Sequence, residues 1–510
     1  MYSAKSNSRI LTAQLIAHGI QEIVVCPGSR NAALVHDFLT SGQFQLFPVT
    51  DERSATFVAI GLSLKTQRPT AVCVTSGSAL LNTLPAVAEA ALRNLPLIII
   101  SADRSAEWIG QLDGQTLPQT NALLPYAQTW TLEEADDEAK QCQQLTNEAI
   151  LCAKSKSCPV HLNLPLSEPL FNFQTPHLPT AEITHQLSPQ SKTPIPENII
   201  AQIETARLPV LVIGHRDTTL PSAFLLRDNH QLLLHAECLS LMGDTRTATL
   251  LDRKEIIPDL IIHVGGAMVG KHFKLFLRTL PHCPVIRIDP TDEAPDTFRH
   301  LSTKIKAEPE VALAQLAQTL SPKPAVKAIV EALPEVPIRH YENVEAIFLG
   351  NSSAVRIANR FFSRTPHPLF CNRGVNGIEG SLSVAAGYAL QSEKQTLCIL
   401  GDLSFFYDAN ALWNERLNGR LRVLIINNGC GEIFHHLPGL KDSPALNDYV
   451  AAAHRFNARG IAESYACTYL STQVANFEAE ADALIRRLIA VESARPVVFE
   501  VFTQSSSPIL

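Results

Sequence analysis

The sequence lacks the features that mark membrane, nucleic-acid-binding and disulfide-rich secreted proteins. Its 11 cysteines form no C-x-x-C pair, and several lie inside apolar runs, which indicates reduced core cysteines rather than zinc ligands or disulfides. Lys and Arg number 42 against 49 Asp and Glu, a net charge of −7, so the chain is no general polycation for nucleic acid or an anionic membrane. No apolar run approaches the roughly 18–20 residues of a membrane span.

Targeting and low-complexity segments are also missing. Residues 1–16 have no apolar core of the kind that a signal peptide carries, and no close internal repeat is recognisable. Apolar residues make up 46% of the chain and charged residues 18%, which excludes a disordered chain. We therefore expect a folded cytoplasmic protein, and at roughly 150 residues per domain its length predicts about three domains.

Two proline-rich stretches predict where the chain is divided. Five prolines fall within 176–196 and four within 322–337. Because proline resists helix interiors and sheet ladders, both stretches are predicted to be linkers. They predict an N-terminal domain at 1–175, a central domain at 197–321 and a C-terminal domain at 340–510.

Each of the three blocks alternates short β-branched runs with amphipathic segments of helical length. Runs that are apolar on both faces and separated by helices are typical of parallel sheets covered on both sides. The sequence therefore predicts an α/β protein with three doubly wound parallel-sheet domains. The predicted strands are Glu22–Cys26, Phe47–Val49, Thr70–Thr75, Leu95–Ser101, Pro209–Ile213, Leu260–Val264, Pro284–Ile288, Ala346–Leu349, Thr396–Leu400, Arg422–Ile426 and Pro496–Val501.

The most informative motif pairs two strand ends. Gly401-Asp402 follows one predicted strand, Asn427-Asn428 follows the next, and the 24 residues between them are predicted to form one helix. Ligands bind beyond the carboxyl ends of parallel strands, and hard oxygen ligands placed there suit Mg²⁺ that bridges a diphosphate. A helix cap and an Asn turn are the structural alternative. The paired motif favours the metal site and is similar to the signature of thiamine diphosphate (ThDP) enzymes.

A ThDP site makes two further demands, and the sequence meets both. A carboxylate must face N1′ of the pyrimidine ring, and Glu52 qualifies because it follows a short strand and opens an apolar helix at 55–64. Glu52 could also serve only the helix dipole. A bulky apolar residue must hold the cofactor in a bent conformation, and Ile378 lies 24 residues before Asp402, where ThDP enzymes usually carry it.

One motif resembles the phosphate loop of nucleotide triphosphatases but is not predicted to be one. Residues 265–271 fit the pattern G-x-x-x-x-G-K. His272, however, stands where a nucleotide triphosphatase needs the Ser or Thr that binds Mg²⁺. We still expect Lys271 to point into a shared active site.

Six motifs together closely resemble one family, the 2-succinyl-5-enolpyruvyl-6-hydroxy-3-cyclohexene-1-carboxylate (SEPHCHC) synthases of menaquinone biosynthesis. The likeness is strong in the first and third blocks and weak in the second. The motifs are Cys-Pro-Gly-Ser-Arg-Asn at 26–31, Thr-Asp-Glu-Arg-Ser-Ala at 50–55, Thr-Ser-Gly-Ser-Ala at 75–79, Ser-Ala-Asp-Arg at 101–104, Cys-Asn-Arg-Gly-Val-Asn-Gly-Ile-Glu-Gly at 371–380 and Gly-Asp-Leu-Ser-Phe-Phe-Tyr-Asp at 401–408.

This resemblance implies the pyruvate oxidase/decarboxylase-like architecture of ThDP enzymes and a transferase that requires ThDP with Mg²⁺ or Mn²⁺. In that family 2-oxoglutarate is decarboxylated, and the succinic semialdehyde carbanion equivalent adds 1,4 to isochorismate. The resemblance also implies a homodimer or homotetramer with its active site at the subunit interface.

The resemblance assigns the site residues one by one, with Glu52 as the catalytic residue. The implied cofactor site comprises Glu52, Ile378, Gly401, Asp402, Leu403, Ser404, Asn428, Cys430, Ile433 and Phe434. The implied metal ligands are Asp402, Asn428 and the backbone carbonyl of Cys430. The implied substrate site comprises Ser29, Arg30, Arg104, Gln115, Lys271, Ser352, Arg356, Arg373, Phe434 and Leu437.

The arginines support this assignment independently. Both substrates are dicarboxylates, Arg is the natural bidentate partner of a carboxylate, and Arg30, Arg104 and Arg373 follow predicted strand ends. Two alternatives stay open. The chain could be another ThDP-dependent 2-oxo acid decarboxylase or carboligase of the acetolactate synthase type, although pyruvate offers only one carboxylate. It could also be a catalytically inactive homologue, although the expected catalytic and metal-binding side chains are intact.

Overall fold

The N-terminal part of the chain forms a six-stranded parallel sheet in the computed structural model, which describes residues 1–134, 139–183, 195–241, 243–247, 256–280 and 282–503. The strands are β1 (Glu22–Val25), β2 (Gln45–Pro48), β3 (Thr70–Val74), β4 (Leu97–Asp103), β5 (Gln128–Thr131) and β6 (Val160–Pro165). They lie in the order β2-β1-β3-β4-β6-β5. The helices are α1 (Ser6–Ala17), α2 (Ala32–Ser41), α3 (Glu52–Thr66), α4 (Ser78–Asn82), α5 (Leu84–Arg93) and α6 (Ala139–Lys156).

The described residues of the middle part form a five-stranded parallel sheet. Its strands are β7 (Pro209–Ile213), β8 (Leu233–Ala236), β9 (Leu260–Val264), β10 (Val285–Ile288) and β11 (Leu301–Ile305). They lie in the order β11-β10-β9-β7-β8. The helices of this part are α7 (Glu197–Thr205), α8 (Pro221–Asp228), α9 (Lys271–Arg278), α10 (Pro309–Thr319) and α11 (Pro324–Ala332).

The C-terminal part, within its described residues, forms another six-stranded parallel sheet. Its strands are β12 (Val344–Leu349), β13 (Leu369–Cys371), β14 (Gln395–Gly401), β15 (Leu421–Asn427), β16 (Thr468–Val474) and β17 (Val497–Thr503). They lie in the order β13-β12-β14-β15-β17-β16. The helices are α12 (Ser353–Phe361), α13 (Ser381–Gln391), α14 (Asp402–Tyr407), α15 (Arg459–Ser464) and α16 (Phe477–Ile489).

Both faces of these sheets are covered, as a doubly wound fold requires. In the N-terminal sheet Val24 and Val72 belong to one apolar cluster, which also holds residues of α3 and α5. Their strand neighbours Ile23 and Ala71 belong to a second cluster, which holds residues of α1, α2 and α6. Successive side chains of a strand point to opposite faces, so β1 and β3 are buried on both sides. The predicted fold class is confirmed.

The first and third sheets repeat one topology. When strands are counted from the first strand of each sheet, both have the order 2-1-3-4-6-5. No close internal repeat is visible in the sequence. The chain therefore builds the same six-stranded arrangement twice from different residues. The first arrangement carries Glu52, and the second carries the other predicted cofactor residues.

The predicted linkers are only partly irregular. The second proline-rich stretch contains α11, so the prediction that this stretch is a linker throughout is wrong. Pro324 occupies the first helical position, where the missing backbone N–H has no partner to lose. Residues 184–194 of the first stretch lie outside the described residues. Each sheet lies within one predicted block, and the domain limits themselves stay predictions.

Helices α3 and α13 join the N-terminal and C-terminal sheets through a close backbone contact. A Cβ atom on Gly61 would lie 2.1 Å from the carbonyl oxygen of Val384, and one on Gly387 would lie 2.1 Å from the carbonyl oxygen of Val58. Only glycine permits this approach. The contact fixes α3, and with it Glu52 at its first turn, against the C-terminal part of the same chain.

The sequence predicts reduced cysteines and no membrane-spanning segment. All eleven cysteines are free thiols. None of the helices in the described part of the chain is long and apolar enough to cross a membrane.

Candidate active site

Asp402 lies where β14 ends and α14 begins. Its side chain is almost completely buried, with 3% exposed. Asp402 Oδ2 accepts hydrogen bonds from the backbone N–H groups of Asn428 (3.1 Å) and Gly429 (2.8 Å), and Oδ1 accepts one from Leu403 (2.7 Å). Burial raises the pKa of the Asp402 carboxyl, and these hydrogen bonds oppose the rise. This carboxylate therefore ties the Gly-Asp strand end to the Asn-Asn strand end.

The oxygens around Asp402 fit a divalent cation. Among the described residues its only ion-pair partner is His454, whose Nε2 lies 3.4 Å from Oδ2 and has no hydrogen-bond partner. A buried carboxylate without a full counter-charge is costly, and a bound cation would offset that cost. Asn428 Oδ1, which accepts the N–H of Cys430 (3.2 Å), and the backbone carbonyl of Cys430 complete a set of hard oxygen donors.

The first residue of the Asn-Asn pair, Asn427, stabilises the loop after β15. Asn427 Nδ2 donates to Oε1 of Glu500 (2.7 Å) and to the carbonyl of Phe456 (3.1 Å). Glu500 is fully buried in β17 and also accepts the hydroxyl of Tyr469 and the N–H of Ala458. Asn427 therefore holds the loop, and Asn428 is the residue of the pair that stays beside Asp402.

The predicted single helix between the two motifs is wrong. Helix α14 ends at Tyr407, a short 3-10 helix follows at Ala409–Leu412, and the chain then turns irregularly into β15. Asn414 and Asn418 each accept a backbone N–H two residues ahead, which is a turn geometry that competes with helix. The first turn of α14 still holds Leu403 and Ser404 next to Asp402.

The residue after α14 links three helices. Asp408 is fully buried and accepts both the backbone N–H and the hydroxyl of Ser383, at 2.7 Å each. The Ser383 hydroxyl in turn lies 2.8 Å from that of Ser54, two residues after Glu52. Burial raises the pKa of Asp408 to about 6. This buried cluster connects the start of α13, the end of α14 and the first turn of α3.

The Asp408 carboxyl predicts a pH-dependent stability. Its folded pKa of about 6 lies above the ordinary 3.8, so the folded state binds the proton more tightly. That stabilisation is present below about pH 4 and is lost as the pH rises through about 6. Between pH 4 and 7 the free energy of unfolding of the wild type should fall, relative to Asp408→Asn, by about 3 kcal/mol. Urea unfolding at four pH values measures it, with exposed Asp442→Asn as control, and parallel curves for wild type and Asp408→Asn would contradict it.

Glu52 opens α3 at the carboxyl edge of the N-terminal sheet. Its side chain is half-buried, and Oε2 accepts a hydrogen bond from Asn82 Nδ2 (3.2 Å). Asp51, and not Glu52, caps the helix, because its Oδ1 accepts the backbone N–H groups of Arg53 (2.9 Å) and Ser54 (3.3 Å). Since the helix N-terminus already has its capping carboxylate, Glu52 is available to a ligand.

Four predicted substrate residues lie at the same edge of the N-terminal sheet: Ser29, Arg30, Arg104 and Gln115. Arg30 is 7% exposed and pairs with Glu168 Oε1 at 3.0 Å. Burial lowers the pKa of Arg30, and the neighbouring Arg104 lowers it further. Arg104 Nη2 donates to the carbonyl of Gly114 (3.4 Å), next to Gln115. The two guanidinium groups concentrate positive charge beside an exposed Ser29.

A second group of predicted substrate residues borders a cavity of about 420 Å³ between the central and C-terminal parts. Arg356 lies on α12, and its Nη1 is buried and has no hydrogen-bond partner among the residues that the structure describes. Burial lowers the pKa of Arg356, and so does the nearby Arg373. The predicted residues in the wall are Lys271, Arg356, Ile433 and Leu437. The wall of the cavity therefore contains both cationic and apolar side chains.

Arg373 does not line this cavity. Its Nη1 donates to Asn351 Oδ1 (3.2 Å) and its Nη2 to the carbonyl of Met268 (3.2 Å). It borders a neighbouring cavity of about 560 Å³ at the carboxyl edge of the central sheet. Ser352 precedes α12 with a φ of +69°, a conformation that L-residues rarely adopt. Ile378 is 37% exposed in the loop before α13.

Comparison with known proteins decides the family. The profile described as "Thiamine pyrophosphate enzyme, N-terminal TPP binding domain" matches residues 6–125, and its C-terminal counterpart matches residues 350–501. The chain is 36% identical to the 2-succinyl-5-enolpyruvyl-6-hydroxy-3-cyclohexene-1-carboxylate synthase of Bacteroides thetaiotaomicron, over 99% of this chain and 97% of that protein. It is 37% identical to the synthase of the same name from Phocaeicola vulgatus, over 99% and 96%, and 35% identical to that of Desulfotalea psychrophila, over 98% of both.

The chain belongs to the SEPHCHC synthase family. The resemblance drawn from the six sequence motifs is thereby confirmed, and so is the presence of two thiamine diphosphate-binding domains.

In this SEPHCHC synthase family member the predicted site residues fall into two groups. The N-terminal group is Ser29, Arg30, Glu52, Arg104 and Gln115. The second group is Lys271, Ser352, Arg356, Arg373, Ile378, Gly401, Asp402, Leu403, Ser404, Asn428, Cys430, Ile433, Phe434 and Leu437. Within the described part of the chain, none of the hydrogen bonds or ion pairs joins a residue of one group to a residue of the other.

Several residues of the site escaped the sequence reasoning. Glu500 had a usable signal, because a single charged residue interrupts the apolar run of β17. Gln119, which is 1% exposed and accepts the N–H of Gly77 (2.7 Å), lies in irregular backbone without such a signal. His454 also lies in an irregular segment. Side chains that act through distant backbone contacts leave no periodic pattern in the sequence.

Proposed function

We propose that this chain is a ThDP- and Mg²⁺-dependent SEPHCHC synthase, a transferase of menaquinone biosynthesis. It would decarboxylate 2-oxoglutarate and add the resulting four-carbon unit 1,4 to isochorismate, with release of CO₂. Mn²⁺ could replace Mg²⁺, since both favour oxygen ligands. The proposed place of this reaction is the cytoplasm.

The observation that carries the proposal is an arginine in the wall of the cavity of about 420 Å³ whose buried Nη1 has no hydrogen-bond partner among the described residues. This residue, Arg356, borders the cavity together with Lys271, Ile433 and Leu437. Bidentate guanidinium groups are suited to carboxylates. A second concentration of positive charge, at Arg30 and Arg104, suits a substrate pair with several carboxylates. An acetolactate synthase type acts on pyruvate, which offers only one carboxylate to these cations.

The proposed roles of the chain's own residues follow from their positions. ThDP, when bound, supplies a nucleophilic carbon and an electron sink that allow a 2-oxo acid to lose CO₂. Asp402, Asn428 and the Cys430 carbonyl would hold the metal, and Ile378 would support the bent cofactor. Glu52 would hold and release a proton at N1′ of the pyrimidine ring, which is general acid–base work.

The complete site would require a second copy of the chain. Glu52 and Asp402 belong to groups that no described hydrogen bond joins within one chain, and both groups border exposed apolar side chains. Leu81, beside Asn82, is 43% exposed, and Tyr407, at the end of α14, is 53% exposed. We propose a homodimer, or a tetramer of two such dimers, in which Glu52 of one copy meets Asp402 of the other.

A product assay tests the proposed reaction. Purified protein is incubated with 2-oxoglutarate and isochorismate, with and without ThDP and Mg²⁺, and the products are identified by mass spectrometry. Formation of SEPHCHC and CO₂ that depends on both the cofactor and the metal supports the proposal. Acetolactate from pyruvate would support the acetolactate synthase alternative, and no product from either substrate set would support an inactive homologue.

Removal of the Asp402 carboxylate should weaken cofactor binding more than folding. Asp402→Ala deletes the only charged ligand of the proposed metal site, so most of the ThDP affinity in the presence of Mg²⁺ should be lost. Folding should change less than cofactor binding, because removal of a buried carboxylate whose pKa is raised by burial partly offsets the loss of three backbone hydrogen bonds. Isothermal titration calorimetry with ThDP and Mg²⁺ measures the first effect and thermal unfolding the second. Unchanged ThDP binding would show that the metal assignment is wrong.

A further inference from the structure

The phosphate-loop-like turn at 265–271 binds a carboxylate side chain of the same protein. Glu237, which directly follows β8, is 0% exposed. Its Oε2 accepts the backbone N–H of Val269 (2.6 Å), and its Oε1 accepts that of Gly270 (2.7 Å). A Cβ on Gly270 would lie 2.9 Å from Oε1, so the glycine permits the contact. The carboxylate occupies amides that a phosphate would need, and the next residue is Lys271.

A second glutamate makes the same kind of contact on another loop. Glu89, on α5 of the N-terminal part, is 2% exposed. Its Oε1 accepts the backbone N–H of Gly374 (2.9 Å), and its Oε2 accepts that of Val375 (2.7 Å). A Cβ on Gly374 would lie 2.8 Å from the carbonyl oxygen of Glu89, so this loop also needs glycine. The residue before Gly374 is Arg373.

The loop that Glu237 contacts and the loop that Glu89 contacts also contact each other. Arg373 Nη2 donates to the carbonyl of Met268 (3.2 Å), which belongs to the loop held by Glu237. Arg373 Nη1 donates to Asn351 (3.2 Å), the residue after Gly350 at the end of β12. The loops that carry Lys271 and Arg373 therefore form one interlocked unit at the junction of the three sheets.

The contacts of Glu237 and Glu89 with backbone N–H groups differ from ordinary ion pairs. Glu237 has no ion-pair partner in the described part of the chain, and Glu89 has only Arg93, at 3.8 Å. Burial raises the pKa of both carboxyls, and the backbone N–H groups oppose the rise. A buried carboxylate paired mainly with backbone amides is an expensive way to stabilise a fold. Hydrogen bonds from two consecutive amides fix the course of a loop, which is the property a ligand-binding loop needs.

We propose that Glu237 and Glu89 are positioning residues that hold the loops of Lys271 and Arg373 in the geometry that binds the substrate carboxylates. This inference rests on the proposed function, since it assigns the two glutamates to the substrate site of that reaction. Glu237 borders the cavity of about 420 Å³, but both of its carboxylate oxygens accept backbone amides. Each glutamate would act through the cation next to the amides it accepts.

The first measurement is hydrogen exchange of the free protein, which needs no activity. Glu237→Gln and Glu89→Gln keep the side-chain size but turn an NH₂ group toward an N–H, so each loses one hydrogen bond. Exchange should rise about 10- to 100-fold in the loop at 268–271 for the first variant and at 373–376 for the second. Glu310→Gln is the matched control, because Glu310 also accepts a backbone N–H and a hydroxyl, but those of Ser222 and not of either loop. Its exchange should be unchanged in both loops.

The second measurement is a double-mutant cycle on the apparent KM. Glu237→Gln should raise the KM for one dicarboxylate about tenfold and leave kcat within about threefold. The same substitution in a Lys271→Ala background should add almost nothing, because the glutamate acts through the lysine. Glu89→Gln should behave in the same way with Arg373→Ala.

The outcomes separate this inference from the proposed function. A wild-type protein that forms no SEPHCHC refutes the proposed function and, with it, the substrate role of both loops, whatever the exchange data show. An active wild type whose loops exchange equally fast in all variants refutes the positioning inference alone. Faster loop exchange without a KM change, or KM effects that add fully to those of Lys271→Ala and Arg373→Ala, also refutes it. Faster exchange across the whole central part would indicate a purely structural role.

Discussion

Turnover of the Glu52→Gln variant should fall by about 10²–10⁴-fold, while ThDP binding should largely survive. Glutamine matches glutamate in size and can keep the contact with Asn82 Nδ2 (3.2 Å in the native protein) through its amide oxygen. It cannot exchange a proton at pyrimidine N1′. The loss should therefore appear in kcat, and calorimetry with ThDP and Mg²⁺ should show affinity close to that of the wild type.

A helix-dipole role for Glu52 predicts a different result. An acidic residue in the first turn contributes about 0.3–1 kcal/mol to stability and nothing specific to turnover. Glu197→Gln is the matched control, because Glu197 is likewise the first residue of a helix, α7, and lies far from the site. Near-normal turnover of Glu52→Gln, together with stability losses equal to those of Glu197→Gln, would show that Glu52 serves only the helix.

Subunit mixing extends this experiment to the proposed dimer. Glu52→Gln and Asp402→Ala protomers each lack one half of the site, so a heterodimer contains one site with both residues intact. Mixed protomers should regain partial activity. Continued inactivity after mass spectrometry has confirmed subunit exchange would contradict a site shared between two copies.

Most of the strands that the sequence predicts are buried on both faces, although the edge strand β2 is an exception. Thr396–Leu400 and Arg422–Ile426 were predicted within one or two residues, because β14 and β15 lie in the middle of the C-terminal sheet. The edge strand β16 (Thr468–Val474) is largely half-exposed and lacks a continuous apolar run. In β6, buried His161 and Asn163 bond to Ser101 (2.7 and 2.8 Å) and interrupt the apolar pattern. Buried polar residues that have hydrogen-bond partners interrupt the apolar run of a strand, so the hydropathy pattern does not indicate that strand.

The site could be predicted where its residues follow strand ends directly. Asp402 and Asn428 were found in this way, since parallel strands place their carboxyl ends at one edge. Glu237 also follows a strand, but β8 is short and contains a histidine, so its hydropathy does not indicate a strand. Glu89 lies in the middle of α5, and its contacts with Gly374 and Val375 are about 285 residues distant in sequence. Only the packed fold brings such a side chain to a loop, so no local motif could have shown it.

Removal of the Arg356 guanidinium should raise the apparent KM for one of the two dicarboxylates by about 10- to 100-fold. A charge-assisted hydrogen bond to a carboxylate contributes roughly 1.5–3 kcal/mol, which corresponds to that range. Arg356 borders the cavity of about 420 Å³, and within the described part of the chain its buried Nη1 has no hydrogen-bond partner. Because the cation is not yet paired, a substrate carboxylate would gain the full contact, and Arg356→Ala would forfeit it.

Arg360 gives a matched control on the same helix and the same cavity. It lies one turn after Arg356, but its Nε and Nη2 donate to the two oxygens of Glu478 (2.9 and 2.7 Å). Its guanidinium is therefore already paired, and Arg360→Ala should change either KM by less than about threefold. Steady-state kinetics with each substrate varied in turn decides the question. An equal rise of KM in both variants would indicate general loss of positive charge, and unchanged KM values in Arg356→Ala would remove this arginine from the substrate site.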